Sequence, residues 1–177
     1  GKAVAAKLVA SLLGLAVALT IVEVLVRLFV PDPVYRFENQ IGMFEPSSVL
    51  GYRNKPGFRG YANGHVPIEV NALGFRGDPV SLEKPAASLR VLALGDSITW
   101  GVRVREDETY VRDLGPLLNE RLGPSGRRAE TINAGVVGYS FQQELLFLQH
   151  DGVARSPDIV LIGFAPYDFY PTEDPFF

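Results

Sequence analysis

The chain of 177 residues contains no cysteine. That absence excludes disulfides, a thiol nucleophile, a zinc–thiolate centre and a lipid anchor on an N-terminal cysteine. Histidine is nearly missing too: His65 and His150 stand far apart, so no metal-ligand spacing exists and neither a metal nor another cofactor is expected. Charge of one sign is not in excess, with 17 Lys+Arg against 20 Asp+Glu and a net charge of −3. No basic patch interrupts this balance, and from Arg90 onward 8 basic residues face 13 acidic ones. A phosphate backbone is therefore an unfavourable partner, and nucleic-acid binding is excluded. Asparagine stops at Asn133, which matters for the site considered below.

What the chain does have, at its start, is a long apolar run. Leu8 to Val22 carries no charge, and the apolar character continues through Glu23-Val-Leu-Val-Arg27-Leu-Phe-Val30. Residues 8–30 would span about 34 Å as a helix, enough for a bilayer core of ~30 Å. Lipid is thus the first expected partner. Glu23 and Arg27 are four apart, the spacing of a helical ion pair, and Arg27 sits where it can snorkel. Pro31 and Pro33 end the helix. Lys2 and Lys7 favour a cytoplasmic N-terminus, which Arg27 and Arg36 partly offset. A cleavable signal peptide with Ala16-Val17-Ala18 as its box competes with the anchor. The apolar run passes that box by twelve residues, which favours an uncleaved anchor. A buried helix of a soluble protein is the third reading.

Residues 31–88 are rich in Gly, Pro and aromatics and read as an irregular β-containing collar. Gly57-Phe-Arg-Gly60 recurs as Gly74-Phe-Arg-Gly77, either one turn solution used twice or a short repeat. Val66, Ile68 and Val70 alternate onto one face of a strand that Pro67 restricts to an edge. Pro85-Ala-Ala-Ser88 reads as the last linker.

From residue 89 the pattern is α/β. Strands are expected at 90–95, 128–133 and 158–164. Helices are expected from Ser97, over about 109–122 with a break near Pro116, and over 141–150. Alternation of this kind means a parallel sheet with right-handed crossovers. The most informative stretch is Val91-Leu-Ala-Leu-Gly-Asp-Ser97, a buried strand that stops where a hydroxyl begins the next helix. The carboxyl end of such a strand is where an open α/β sheet binds ligands. Ser97 there suits a nucleophile with backbone N–H groups beside it, and equally a helix N-cap.

These blocks resemble the SGNH (GDSL) hydrolase superfamily. Block one is Val91 to Ser97. Block two is Ile132-Asn-Ala-Gly-Val-Val-Gly138, and block three is Asp158-Ile-Val-Leu-Ile-Gly-Phe-Ala-Pro-Tyr-Asp168. The resemblance extends to a membrane-anchored bacterial branch with a leading apolar helix and a Gly-Phe-Arg-Gly segment. It implies a partial flavodoxin-like, three-layer α/β fold with a parallel sheet of order 2-1-3-4-5. It also implies Ser97 as nucleophile, Gly138 as an oxyanion donor, and Asp96 and Asp168 as structural support. Tyr167 stands where the family places an asparagine donor, and no Asp-x-x-His block is present. His150 would lie about 14 Å down its helix from the site, at ~1.5 Å per residue, and His65 lies in a surface turn, so neither is expected as base.

The third strand would be an exposed edge, which implies either a longer polypeptide or a covering partner. The missing initiator Met favours a partial chain. The tail from Pro166 to Phe177 holds five aromatics, suited equally to an interface and to the start of further core. Three segments are therefore expected: an anchor over 1–30, the collar over 31–88, and the N-terminal part of an SGNH-like domain over 89–177. The expected function is a tethered, non-catalytic accessory subunit docking on a larger envelope membrane complex, single-pass in a bacterial inner membrane with its soluble part periplasmic. The alternative is an ester hydrolase or O-acyltransferase acting on envelope glycan or lipid through Ser97.

Overall fold

The computed structural model describes residues 1–29, 42–62 and 66–165. Two compact units divide the chain, Gly1–Arg36 and Phe37–Phe177. The first carries helix α1 (Lys2–Phe29). Its apolar side chains, from Val4 through Leu28, are exposed all round the helix. A helix that is apolar on every side has no polar face to offer water. α1 is long and apolar enough to cross a membrane. The Glu23–Arg27 pairing falls on the Arg27 side chain, which lies outside the described residues.

The second unit opens with two antiparallel pairs: β1 (Phe44–Ser47) with β2 (Gly51–Asn54), and β3 (Arg59–Ala62) with β4 (Val66–Glu69). As the alternation predicts, Ile68 and Val70 are buried while Pro67 and Glu69 are exposed. Pro67 is tolerated because a two-stranded sheet consists only of edges.

A parallel sheet follows, built from β5 (Ser88–Gly95), β6 (Arg128–Asn133) and β7 (Ile159–Gly163) in the order β6-β5-β7. The mixed α/β class expected from the pattern is present, with the strand nearest Ser97 in the centre. After the single turn α2 (Ser97–Trp100), helix α3 (Tyr110–Leu122) returns to the foot of β6 and packs against it. Helix α4 (Phe141–Phe147) and the turns after it return to β7.

Two boundaries differ from expectation. α3 runs unbroken through Pro116. The ring removes only one i→i−4 bond, and Gly115 beside it lets the helix lie close to Thr131. The helix expected over 141–150 stops being regular at Phe147 and widens into a π turn over Leu148–Gly152. That turn brings Gly152 against Leu92, where an added Cβ would come within 3.0 Å of the leucine.

The segment expected as a collar supplies part of every hydrophobic cluster. Met43, Ile68 and Val70 pack with Trp100; Phe75 packs with Leu92, Leu94 and Ile132; Leu50 packs with Val136 and Tyr139. Burial of each such side chain contributes roughly 1.5–3 kcal/mol. The two Gly-Phe-Arg-Gly motifs begin alike, with Gly57 at φ +73° and Gly74 at φ +87°. They end differently. Arg59 is exposed and 3.7 Å from Glu69, whereas Arg76 is buried.

The foot of the sheet, opposite the Ser97 end, is closed by Arg90, whose side chain is fully buried. Its guanidinium donates to Glu130 Oε2 at 2.7 Å and to the carbonyls of Arg155, Ser81 and Glu83. A buried charge is tolerable only with partners of this kind.

Candidate functional site

The corner at the carboxyl end of β5 is shaped by two glycines. Gly95 and Gly163 are register partners across β5 and β7. A Cβ on either would fall 2.0 Å from Thr99 Oγ1, so the threonine seats itself in the space that both leave empty. Thr99 Oγ1 lies 2.9 Å from Tyr110 Oη. Burial raises the Tyr110 pKa, while the hydrogen bond to Thr99 works the other way and the Glu144 and Asp96 carboxylates add to the rise.

Asp96 is buried and caps α2, its Oδ1 accepting from the Ile98 N–H at 2.8 Å. Ser97 follows, half-buried, and its hydroxyl donates to Asp96 Oδ2 at 3.4 Å. That bond is long and orients the hydroxyl weakly. The two sequence readings of this corner are therefore divided between two residues. Asp96 is the cap, and the Ser97 hydroxyl takes no part in it.

The block-two loop is tied to the same corner. Val136 N–H donates to Gly95 O at 3.0 Å, and Asn133 Nδ2 donates to Thr99 O at 2.9 Å. Asn133 Oδ1 accepts from Gly135 N–H at 3.0 Å, so one buried amide fixes the loop to α2. Gly138 is exposed further along this loop. Among the described residues, neither the Ser97 N–H nor the Gly138 N–H is spent on any of these bonds.

On the other side of α2, Arg76 closes the turn. Its guanidinium donates to the carbonyls of Trp100, Gly101 and Val104, the last at 2.6 Å. Burial lowers its pKa to about 10, against the upward pull of Glu106. It remains a cation at neutral pH.

The sequence singled out Ser97, Asp96 and Gly138, all of which lie in described segments at or joined to this corner. Tyr167, Asp168 and His65 lie outside the described residues. His150 is exposed in the π turn, two residues before Gly152, which packs on the middle of β5 at Leu92. Its place on the turn is not beside Ser97. Sequence reasoning missed Arg76, Asn133 and Tyr110. The second Gly-Phe-Arg-Gly carried a signal for Arg76, but nothing local distinguishes its arginine from Arg59. A polar groove with a cavity volume of about 370 Å³ lies along the outer edge of β6, between α3 and residues 76–80; Arg76 and Asn133 help to line it and Ser97 does not.

No protein-family model matches this chain, and no curated protein does.

Proposed function

We propose that the chain is a membrane-anchored, SGNH-like α/β domain that performs acyl transfer at Ser97. It hydrolyses an ester, or moves an acyl group, on an envelope glycan or lipid. The observation that carries this reading is the corner itself. A half-buried serine hydroxyl stands after a buried Asp96 cap, and among the described residues the N–H groups of Ser97 and Gly138 have no backbone bond of the loop and cap set. The strand order β6-β5-β7 supports the flavodoxin-like arrangement, with chemistry at the carboxyl end of the central strand.

In this reaction the Ser97 oxygen attacks the acyl carbon as its proton passes to a base. The carbonyl oxygen gathers negative charge, which the two N–H groups stabilise. The bond to the leaving alcohol breaks, the alcohol takes the proton, and water or a second alcohol releases the acyl group. The base comes from outside the described residues. Tyr167 in place of an amide donor costs about 2.7–4 kcal/mol of transition-state stabilisation, so turnover is roughly 10²–10³ slower than with a full set. Helix α1 holds the domain at the outer face of a bacterial inner membrane, in the periplasm.

The test is turnover of p-nitrophenyl acetate and labelling by a fluorophosphonate, both by the membrane-extracted protein. Both should disappear in Ser97→Ala. Equal turnover by the variant would remove the proposal. A second reading, a non-catalytic subunit docked on a larger membrane complex, is favoured by the outer edge of β7, where Ile159, Ile162 and Phe164 are exposed. A detergent-solubilised protein that runs as a monomer without partners would exclude it.

A further inference from the structure

The β1–β2 hairpin grips the stretch from Gly135 into α4 at four points. Gln143 Nε2 donates to Leu50 O at 2.8 Å, and Tyr139 Oη donates to Tyr52 O at 2.6 Å. Tyr52 Oη donates to Val137 O at 2.8 Å, and Asn54 Nδ2 donates to Gly135 O at 3.1 Å. The Tyr52 and Tyr139 rings meet edge-on with centroids 5.4 Å apart, and Phe44 meets Tyr52 in the same way at 5.4 Å. The Tyr52 ring is therefore held before its hydroxyl is considered.

One of these four bonds differs from the rest in what it controls. The Val137 carbonyl and the Gly138 N–H belong to a single peptide unit, which is planar and trans, so they point in opposite directions. A hydroxyl fixed on Val137 O thereby fixes the direction of the Gly138 N–H. Gly138 has φ +81°, and a Cβ there would lie 2.9 Å from Tyr52 Oη. The hydroxyl thus bonds Val137 O and fills the space that a side chain on Gly138 would need. Burial raises the Tyr52 pKa, so the O–H stays a donor throughout the neutral range.

We propose that Tyr52 is a positioning residue for the Gly138 oxyanion donor, acting through the Val137–Gly138 peptide plane. The proposal rests on the acyl-transfer reading for its chemical consequence. Its geometric claim, that the Tyr52 hydroxyl holds the Gly138 N–H, is tested without any turnover. It makes the hairpin a component of the site and assigns a role to a residue far from Ser97 in sequence.

Two variants of the full chain decide it. Tyr52→Phe keeps the ring and removes the hydroxyl. Gln143→Glu removes the donor to Leu50 O and leaves the 137–138 plane untouched. Backbone 15N order parameters are followed at residues 136–139, together with kcat and KM for p-nitrophenyl acetate. In Tyr52→Phe, the order parameter of the Gly138 N–H should fall from about 0.85 to about 0.6 or below, and kcat should fall about tenfold to a hundredfold at unchanged KM. In Gln143→Glu both should stay near wild type. An unchanged order parameter at Gly138 in Tyr52→Phe overturns the proposal. So does a lower order parameter without a fall in kcat, or an equal effect of the two variants, which would mark a general structural role. If the wild type shows no Ser97-dependent turnover, the acyl-transfer reading fails by itself, and the order parameter at Gly138 still decides whether Tyr52 holds that peptide.

Discussion

The guanidinium of Arg76 lies over the Trp100 ring, 4.3 Å from its centroid, while its nitrogens reach three carbonyls just beyond α2. Both side chains are buried. A planar, delocalised cation can stack on an aromatic face and still direct several N–H groups in its own plane. Lysine cannot do both. Arg76→Met leaves three carbonyls short of a donor, and unfolding in urea should show a loss of about 3 kcal/mol or more. Arg76→Lys should recover less than half of that loss. Full recovery would show that charge alone matters there.

Thr99 and Gly163 make a second pair that is set by shape. With 2.0 Å between Thr99 Oγ1 and a Cβ built on Gly163, Gly163→Ala forces the end of β7 or the α2 turn to move. Overpacking of this kind costs about 1–3 kcal/mol. Thr99→Ala removes the 2.0 Å clash, leaves Tyr110 Oη 2.9 Å from that Cβ, and removes the partner of Tyr110 Oη. The double variant should therefore be more stable than the sum of the two single losses predicts, by about 1 kcal/mol in a double-mutant cycle. Strict additivity would mean that the crowding is relieved elsewhere.

Much of this architecture could be read from local pattern. The apolar run of β5, the alternation in β4 and the helix over 110–122 all depend on periodicity that neighbouring residues carry by themselves. The corner at Gly-Asp-Ser was legible because the apolar run of β5 stops there, but the sequence offered the cap to Ser97 and the structure gives it to Asp96. Arg76 and Tyr52 were not legible, because their partners lie 24 and 85 residues away, as in Arg76–Trp100 and Tyr52–Val137. Composition made residues 31–88 look like a spacer, since short strands and frequent Gly and Pro resemble a linker. The burial of Met43, Leu50, Ile68 and Val70 is decided by tertiary contacts with Trp100, Val136 and Tyr139. The widened turn over Leu148–Gly152 was equally hidden, because the sequence continues in a helical rhythm through it.

Helix α1 makes a prediction about fractionation. A charged residue at the centre of a spanning helix costs ~2.5–3.5 kcal/mol on an insertion scale. The protein should resist alkaline extraction from membranes, and Leu13→Arg with Val17→Arg should move most of it to the soluble fraction. The mass of the mature protein separates anchor from signal peptide, since cleavage after Ala18 would remove the first 18 residues. Release of the wild type by alkaline washing, with α1 still attached, would rule out a spanning helix.

Acid should weaken the fold at the foot of the sheet. Asp158 Oδ1 accepts from Lys84 Nζ at 2.5 Å and Oδ2 from the Arg90 N–H at 2.7 Å. The Lys84 hydrogen bond, then the Arg90 N–H, hold its pKa below the usual carboxylate range. A carboxylate with a lowered folded-state pKa contributes stability that is present above its unfolded value, ~3.9, and is lost as pH falls through the folded value. Asp158→Asn should therefore be less stable than wild type at pH 7, with the difference shrinking as the pH drops toward 3. Glu106 has the opposite sign. Burial raises its pKa despite the nearby Arg112, so its ionised form is disfavoured in the folded state. Glu106→Gln should be neutral or slightly stabilising at pH 7, and its advantage should fade as acid protonates the wild-type carboxyl. Urea midpoints of both variants across pH 3–7 test the pair, and parallel curves for all three proteins would show that neither carboxylate is coupled to folding.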